Sequence, residues 1–225
     1  MSRRKPHFGQ CAYCGCQGVM TRDHVIPRAL FRPPYPTNPV VVDACCTCNK
    51  LKAQHEDYLR DFLTLDYRGS QRQTAQKVFD SKVRRSHARN SSELIKKAMD
   101  SVRVEPIYSR AGVYLGHFPQ AYVDDGRLFQ VLGMIVRGLY CDARKERLPD
   151  NCRVIVNRHD PWDYPAVYEA FDLPSRPASR AVGGVFRCAF RRATEEPSLT
   201  LWLFYNRVLF SPVTEPTTRS APAGA

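Results

Sequence analysis

The apolar positions change period several times along the chain. Gln17 to Thr21, around Val19 and Met20, reads as a short strand, and Val40, Val41 and Val42 read as another. After Asn49 the period lengthens. Leu51, Tyr58, Leu59, Phe62 and Leu65 fall toward one side of a helix written KLKAQHEDYLRDFLTLDY. Two further helices are predicted over 70–87 and 91–103, the second opened by the serines of SSELIKKAM. Residues 127–143 form the most apolar helix. Its unbroken apolar part is too short to cross a bilayer and it carries Arg137, so it reads as a buried core helix. Residues 152–156 read as a strand and 163–171 as a short helix, with Pro165 tolerable in the first turn. VFRCAFRR, from Val185, alternates as a half-buried strand should. LTLWLFYNRVLF, 199–210, reads as its long antiparallel partner across the turn TEEPS. From Pro212 the chain turns to Pro, Thr, Ser and Ala and reads as disordered. The fold class is therefore α+β. The expected parts are a compact unit over 1–66, a helical segment over 67–104, an α+β region with a small antiparallel sheet over 105–213, and a tail over 214–225.

Cysteine spacing adds a metal to the first unit. Cys11 and Cys14 form one CxxC pair, and Cys45 and Cys48 form another. Each pair presents two thiolates from one tight turn, and two pairs close a tetrahedral zinc site. Cys16 and Cys46 compete as ligands without an equally clean CxxC partner. A disulfide scaffold fits poorly with nine cysteines, a long chain and no secretory stretch. Four thiolates leave zinc no open position, so this Zn2+ is expected to be structural. Reduced cysteines point to a cytoplasmic compartment, and no membrane span is read.

Charge then suggests the partner. Thirty-four Lys and Arg stand against twenty-two acids, a formal net charge of +12, which favours nucleic acid through phosphate contacts. The surplus is concentrated between Arg68 and Lys97, where nine cations face only Asp80 and Glu93. Arg72, Lys77, Lys82, Arg84 and Arg85 are the candidate nucleic-acid contacts. A solvated helical face is the plainer account of any one of them.

Between the two cysteine pairs lies Asp23-His24, and Asn49 follows the second pair directly. Alone, each has an ordinary reading: a solvated histidine, a capping aspartate, a capping asparagine. Together, the order CxxC, DHVIPR, N, CxxCNK resembles the HNH nucleases, in the branch with a four-cysteine zinc clamp around a ββα-metal core. EDYLR, a few residues into the helix, is similar to one subgroup, and the likeness covers residues 11 to about 61. The resemblance implies a metal-dependent endonuclease that hydrolyses DNA phosphodiesters, with RNA as a second possible substrate. His24 would be the general base, since its ordinary pKa lies near neutrality. Asp23 and Asn49 would hold one catalytic Mg2+ or Mn2+ through hard oxygen ligands. Asn38 would be the central asparagine that orients the histidine, and Arg28 a contact to the scissile phosphate. The resemblance also suggests a bacterial or phage source. A homodimer is one way for a chain with one site to cut two strands. The alternative is a zinc-stabilised DNA-binding module without nuclease activity, which would share the cysteines and the basic surface. The region after residue 105 shows no metal set and no phosphate loop. Cys141, Cys152 and Cys188 are spaced there as ordinary thiols.

Overall fold

Three strands carry the N-terminal half: β1 (His7–Gln10), β2 (Gln17–His24) and β3 (Val41–Cys45), antiparallel in the order β1-β2-β3. They come from a computed structural model describing residues 7–66, 73–89, 93–109, 111–159, 165–166, 180–190, 198–205 and 208–216. Asp23 pairs with Val42 and His24 with Val41, so the Asp-His dipeptide lies in the ladder at the end of β2. A short 3-10 turn, Arg28–Leu30, and the proline-rich segment lead to β3. Helix α1 (Cys46–Leu65) starts directly off β3, where the Cys45 sulfur accepts the Cys48 amide and caps the helix. Strand, loop, strand and helix thus follow in the expected order.

Helix α1 departs from the simple stripe. Residues 58–64 are all buried, Lys52 is buried as well, and Leu65 is largely exposed. The polar residues tolerate burial because they are paired. Arg60 lies 2.6 Å from Asp57 and 2.6 Å from Asp61, and the Thr64 hydroxyl donates to the Arg60 carbonyl. Amphipathic spacing has no means of showing this.

The basic segment forms α2 (Gln73–Val78), one wide π turn (Phe79–Val83) and α3 (Arg84–Ala88), followed by α4 (Glu93–Ser101). A two-stranded ribbon, β4 (Arg103–Tyr108) and β5 (Tyr114–Gln120), follows; no pattern in the sequence had marked it. Helix α5 (Asp125–Arg144) matches the apolar helix expected at 127–143. Asp124 caps it by accepting the Arg127 amide, and Leu128, Val131, Leu132, Ile135 and Leu139 form its buried stripe. No described helix is long and apolar enough to cross a membrane.

A five-stranded antiparallel sheet closes the chain, in the order β6-β10-β9-β8-β7, from β6 (Cys152–Arg158), β7 (Arg180–Val182), β8 (Phe186–Phe190), β9 (Ser198–Phe204) and β10 (Val208–Pro216). The run expected as one strand over 199–210 is instead two, broken after Phe204, where Tyr205 adopts a φ of 50°. The sheet also reaches further than expected. β10 continues through Pro212 to Pro216, into the stretch read as tail, because Thr214 pairs with Val154 and Glu215 lies 2.5 Å from Arg153. Most of the helix expected over 163–171, and the tail beyond 216, lie outside the described residues.

One core joins both halves. Val25 and Leu30 share one buried cluster with Leu59 and Leu63 of α1, Leu132 and Ile135 of α5, and Trp202 and Phe204 of the sheet. The Tyr205 hydroxyl donates to the Leu30 carbonyl at 2.9 Å. Helix α5 approaches the segment after His24 very closely at Gly138, where an added Cβ would lie 2.7 Å from a Val25 methyl. Gly138→Ala should therefore destabilise the fold by about 1–2 kcal/mol, overpacking outweighing the helix-propensity gain. Urea unfolding midpoints of the two proteins would measure it.

Candidate functional site

The four expected cysteines converge. The sulfurs of Cys11, Cys14, Cys45 and Cys48 all lie within 4.8 Å of one another, and those of Cys14 and Cys45 are 3.8 Å apart. A zinc ion about 2.3 Å from each sulfur sets tetrahedron edges of about 3.8 Å, so the cluster fits a tetrahedral thiolate metal such as zinc. Local chemistry shapes both turns. The Gly15 amide returns to the Cys11 carbonyl, and Gly15 itself sits at φ 76°, where a side chain would be strained. The Ala12 amide donates to the Asp43 carbonyl and ties the first turn to β3. Burial raises the Cys14 thiol. Hydrogen bonds from the Cys16 amide and from the thiols of Cys16, Cys48 and Cys11 outweigh it and bring its pKa down to about 6. Cys16 sits against the cluster rather than in it. Its hydrogen bonds to Cys14 and Cys45 push its thiol up to about 12. All nine cysteines are free of disulfides.

Beside the cluster lies a buried charged network. Asp23 is 6% exposed and Lys52 is completely buried. The Lys52 ammonium lies 3.0 Å from the Asp23 carboxylate and 2.7 Å from that of Glu56, and donates to the His24 carbonyl at 2.7 Å. Its three donors are thus matched by three acceptors. The Tyr13 hydroxyl donates to the same Asp23 oxygen, and burial and Asp23 together push the phenol strongly upward. Tyr13 belongs to the first CxxC turn, so the cysteine frame itself holds Asp23. Burial raises the pKa of Glu56, with Lys52 opposing. No sequence signal pointed to Lys52 and Tyr13. The only cue was position: Lys52 follows Asn49 by three residues and precedes Glu56 by four, one face of a helix.

The other proposed site residues are less gathered. Successive strand residues leave opposite faces, so Asp23 turns toward α1 and His24 starts from the other side. His24 is half-buried, and its pKa is lowered, first by burial and then by Arg28, so its ring is neutral at pH 7. Asn49 reaches Thr21 rather than Asp23, its amide donating to the Thr21 hydroxyl at 3.0 Å. Asn38 is exposed, and no hydrogen bond joins it to His24 among the described residues. The loop is instead closed by the Val25 amide on the Val40 carbonyl. Arg28 is exposed, and its guanidinium stacks 4.2 Å from the Tyr35 ring centre.

In this arrangement a lysine ammonium stands between Asp23 and Glu56, where a cation would stand, and Asn49 points elsewhere. The donor set does not fit Mg2+ or Mn2+ unless Lys52 withdraws.

Among the basic candidates, Lys77, Arg84 and Arg85 are exposed, with Arg84 loosely paired to Asp80 at 3.7 Å. Lys82 is half-buried, and its ammonium donates to the carbonyls of Arg28 and Ala29. Burial lowers its pKa. It is thus spent on docking the basic helices against the turn after His24. Arg72 lies outside the described residues. His55 of α1 accepts from Arg127 of α5 at 3.3 Å.

The chain matches no protein-family model, no curated protein and no solved structure.

Proposed function

We propose that the protein is a nuclease that hydrolyses nucleic-acid phosphodiesters at His24, built on the HNH pattern that its motifs resemble. One arrangement supports the reading: a half-buried histidine, its pKa lowered by burial, at the end of β2, directly after a buried aspartate, on a frame of four converging cysteines. A neutral imidazole is the form that accepts a proton from water. Water attacking phosphorus would give that proton to His24 as the P–O3′ bond breaks, and the leaving 3′ oxygen would take a proton from solvent. Arg28, four residues beyond the strand end, is exposed for a phosphate oxygen. Zinc at the cysteines would hold the frame and take no part in the reaction. Lys82 docks the basic helices beside this turn, which with the +12 net charge suits a polyanionic substrate, DNA first and RNA second. A divalent ion has no part in this step while Lys52 occupies the Asp23 carboxylate.

That occupancy favours a second reading, a zinc-stabilised nucleic-acid-binding module without hydrolysis. Plasmid nicking by the zinc-loaded chain, with magnesium or manganese added, separates the two. The nuclease reading expects nicking that falls by about 100-fold or more in His24→Ala. Equal nicking by both proteins would remove His24 as the base. Retarded migration of DNA without cutting under either metal would leave the binding module.

A further inference from the structure

A cavity of about 160 Å3 lies where the proline-rich segment meets α2 and the loop between β7 and β8. Phe31, Pro34, Pro36 and Val185 give it apolar walls. Gly183, at a φ of 54°, lets that loop come close: a Cβ there would lie 2.7 Å from Pro36 and 2.9 Å from the Phe31 ring. The polar part of the lining is Arg32, Thr74 and Lys77. Both cations are exposed, neither has an acidic partner among the described residues, and no acid lines the cavity. Neither the arrangement at His24 nor the cysteine frame uses this space. Tyr35 nevertheless ties it to Arg28, whose guanidinium stacks on that ring, between Pro34 and Pro36 in the chain.

We propose that the cavity takes one unpaired base of a nucleic-acid strand, with Arg32 and Lys77 on the neighbouring phosphates. Size sets the first limit. A cavity of about 150 Å3 holds a single benzene-sized ring, so this one has room for one base and not for a base pair. Charge sets the second. Two cations without an acid call for anionic groups joined to that ring, and the phosphates of a strand supply them. The Thr74 hydroxyl can donate to or accept from the polar edge of the base. A base reaches such a cavity only after leaving the stack and its pairing partner. The substrate class is thus a strand with unpaired bases rather than intact duplex. The inference rests on nucleic-acid binding, which both readings of the function share, and not on hydrolysis.

Fluorescence anisotropy with the full-length, zinc-loaded chain tests it, with no magnesium or manganese added. The probes are a labelled thymidine oligonucleotide about ten nucleotides long and an abasic strand of the same length and charge. The parent should bind the first about 10-fold more tightly than the second. Thr74→Met lays an apolar chain into the cavity and should bring the thymidine strand down to the abasic level. Thr74→Leu should do the same and stands in if the first variant misfolds. Lys77→Gln should weaken both strands alike and lower the salt slope by about one. Equal binding of the two strands by the parent overturns the proposal while leaving nucleic-acid binding in place. So does a preference that survives in folded Thr74→Met. Binding of neither strand removes the nucleic-acid reading itself, and this inference with it. Displacement of the oligonucleotide by equimolar thymidine monophosphate would assign the cavity to a free nucleotide and overturn the strand as its occupant.

Discussion

Stripping the metal from the four-cysteine cluster, or replacing Cys48 with serine, is expected to unfold the N-terminal unit while leaving much of the C-terminal sheet hydrogen-bonded. The reason lies in what the cluster joins. Its four sulfurs connect the turn after β1, the end of β3 and the first turn of α1. Between them lies little apolar material: Cys11, Ala12, Tyr13, Met20, Val42 and Ala44 are the buried residues of that corner. A structural zinc contributes roughly 10–16 kcal/mol to folding in small thiolate domains, more than such a corner supplies. Without it, no bond ties the four sulfurs together. Tyr13 then loses the turn that aims it at Asp23, and Asp23 and Lys52 lose their fixed spacing. Hydrogen exchange read by mass spectrometry, with and without a chelator, should show protection lost across β1 to β3 and the first turns of α1. Protection should persist in β6, β9 and β10. Unchanged exchange in metal-free protein would mean that the cysteines add nothing to stability.

Legibility from sequence followed the range of the interactions. The cysteine set was readable because a CxxC turn is local, and the pairing of two such turns needs only one metal. Helix α5 was readable for the same reason: its stripe and its Asp124 cap lie within twenty residues. The helix α1 was half-readable. EDYLR stood out as a likeness, but one of its residues ties two helices together. Glu56 holds Lys52 and Asp57 holds Arg60 within α1, at ordinary helical spacing, whereas Tyr58 accepts the Asp124 amide at the start of α5, with Arg127 above its ring. That last partner is sixty-six residues away, so no spacing rule reveals it. The ribbon escaped because both of its faces are exposed and its strands carry no clean alternation; tertiary pairing alone defines it. Asn49 shows the limit of a motif. Its place after the second CxxC pair does not fix the direction of its side chain, which depends on neighbours such as Thr21.

Replacing Lys52 with methionine is expected to destabilise the fold by about 3–5 kcal/mol at pH 7, which for a chain of this length lowers Tm by roughly 10 °C. Methionine fills a similar volume, so the loss is electrostatic rather than steric. The ammonium has no exposed surface, and it serves Asp23, Glu56 and the His24 carbonyl together. Its removal leaves Asp23 with only Tyr13, and Glu56 with no cation, in a medium that solvates neither. The pH dependence identifies the cause. Burial already raises the Glu56 pKa in the parent, and Lys52 opposes it. Without Lys52, burial and Asp23 act unopposed, and the folded-state value climbs further. A carboxyl with a raised folded pKa favours the folded state below its unfolded value, near 4.5, and that contribution disappears as pH rises through the folded value. The gap between variant and parent should therefore be smallest at pH 5 and widest at pH 8, measured as urea unfolding free energies. A gap independent of pH would assign the loss to packing. Because Lys52 also pins the His24 carbonyl, the same substitution should loosen the end of β2. Nicking by any folded fraction would then fall together with the protection of the Val25 amide, which closes the loop onto Val40. Full nicking by a folded Lys52→Met chain would instead show that the ammonium obstructs Asp23 rather than positions His24.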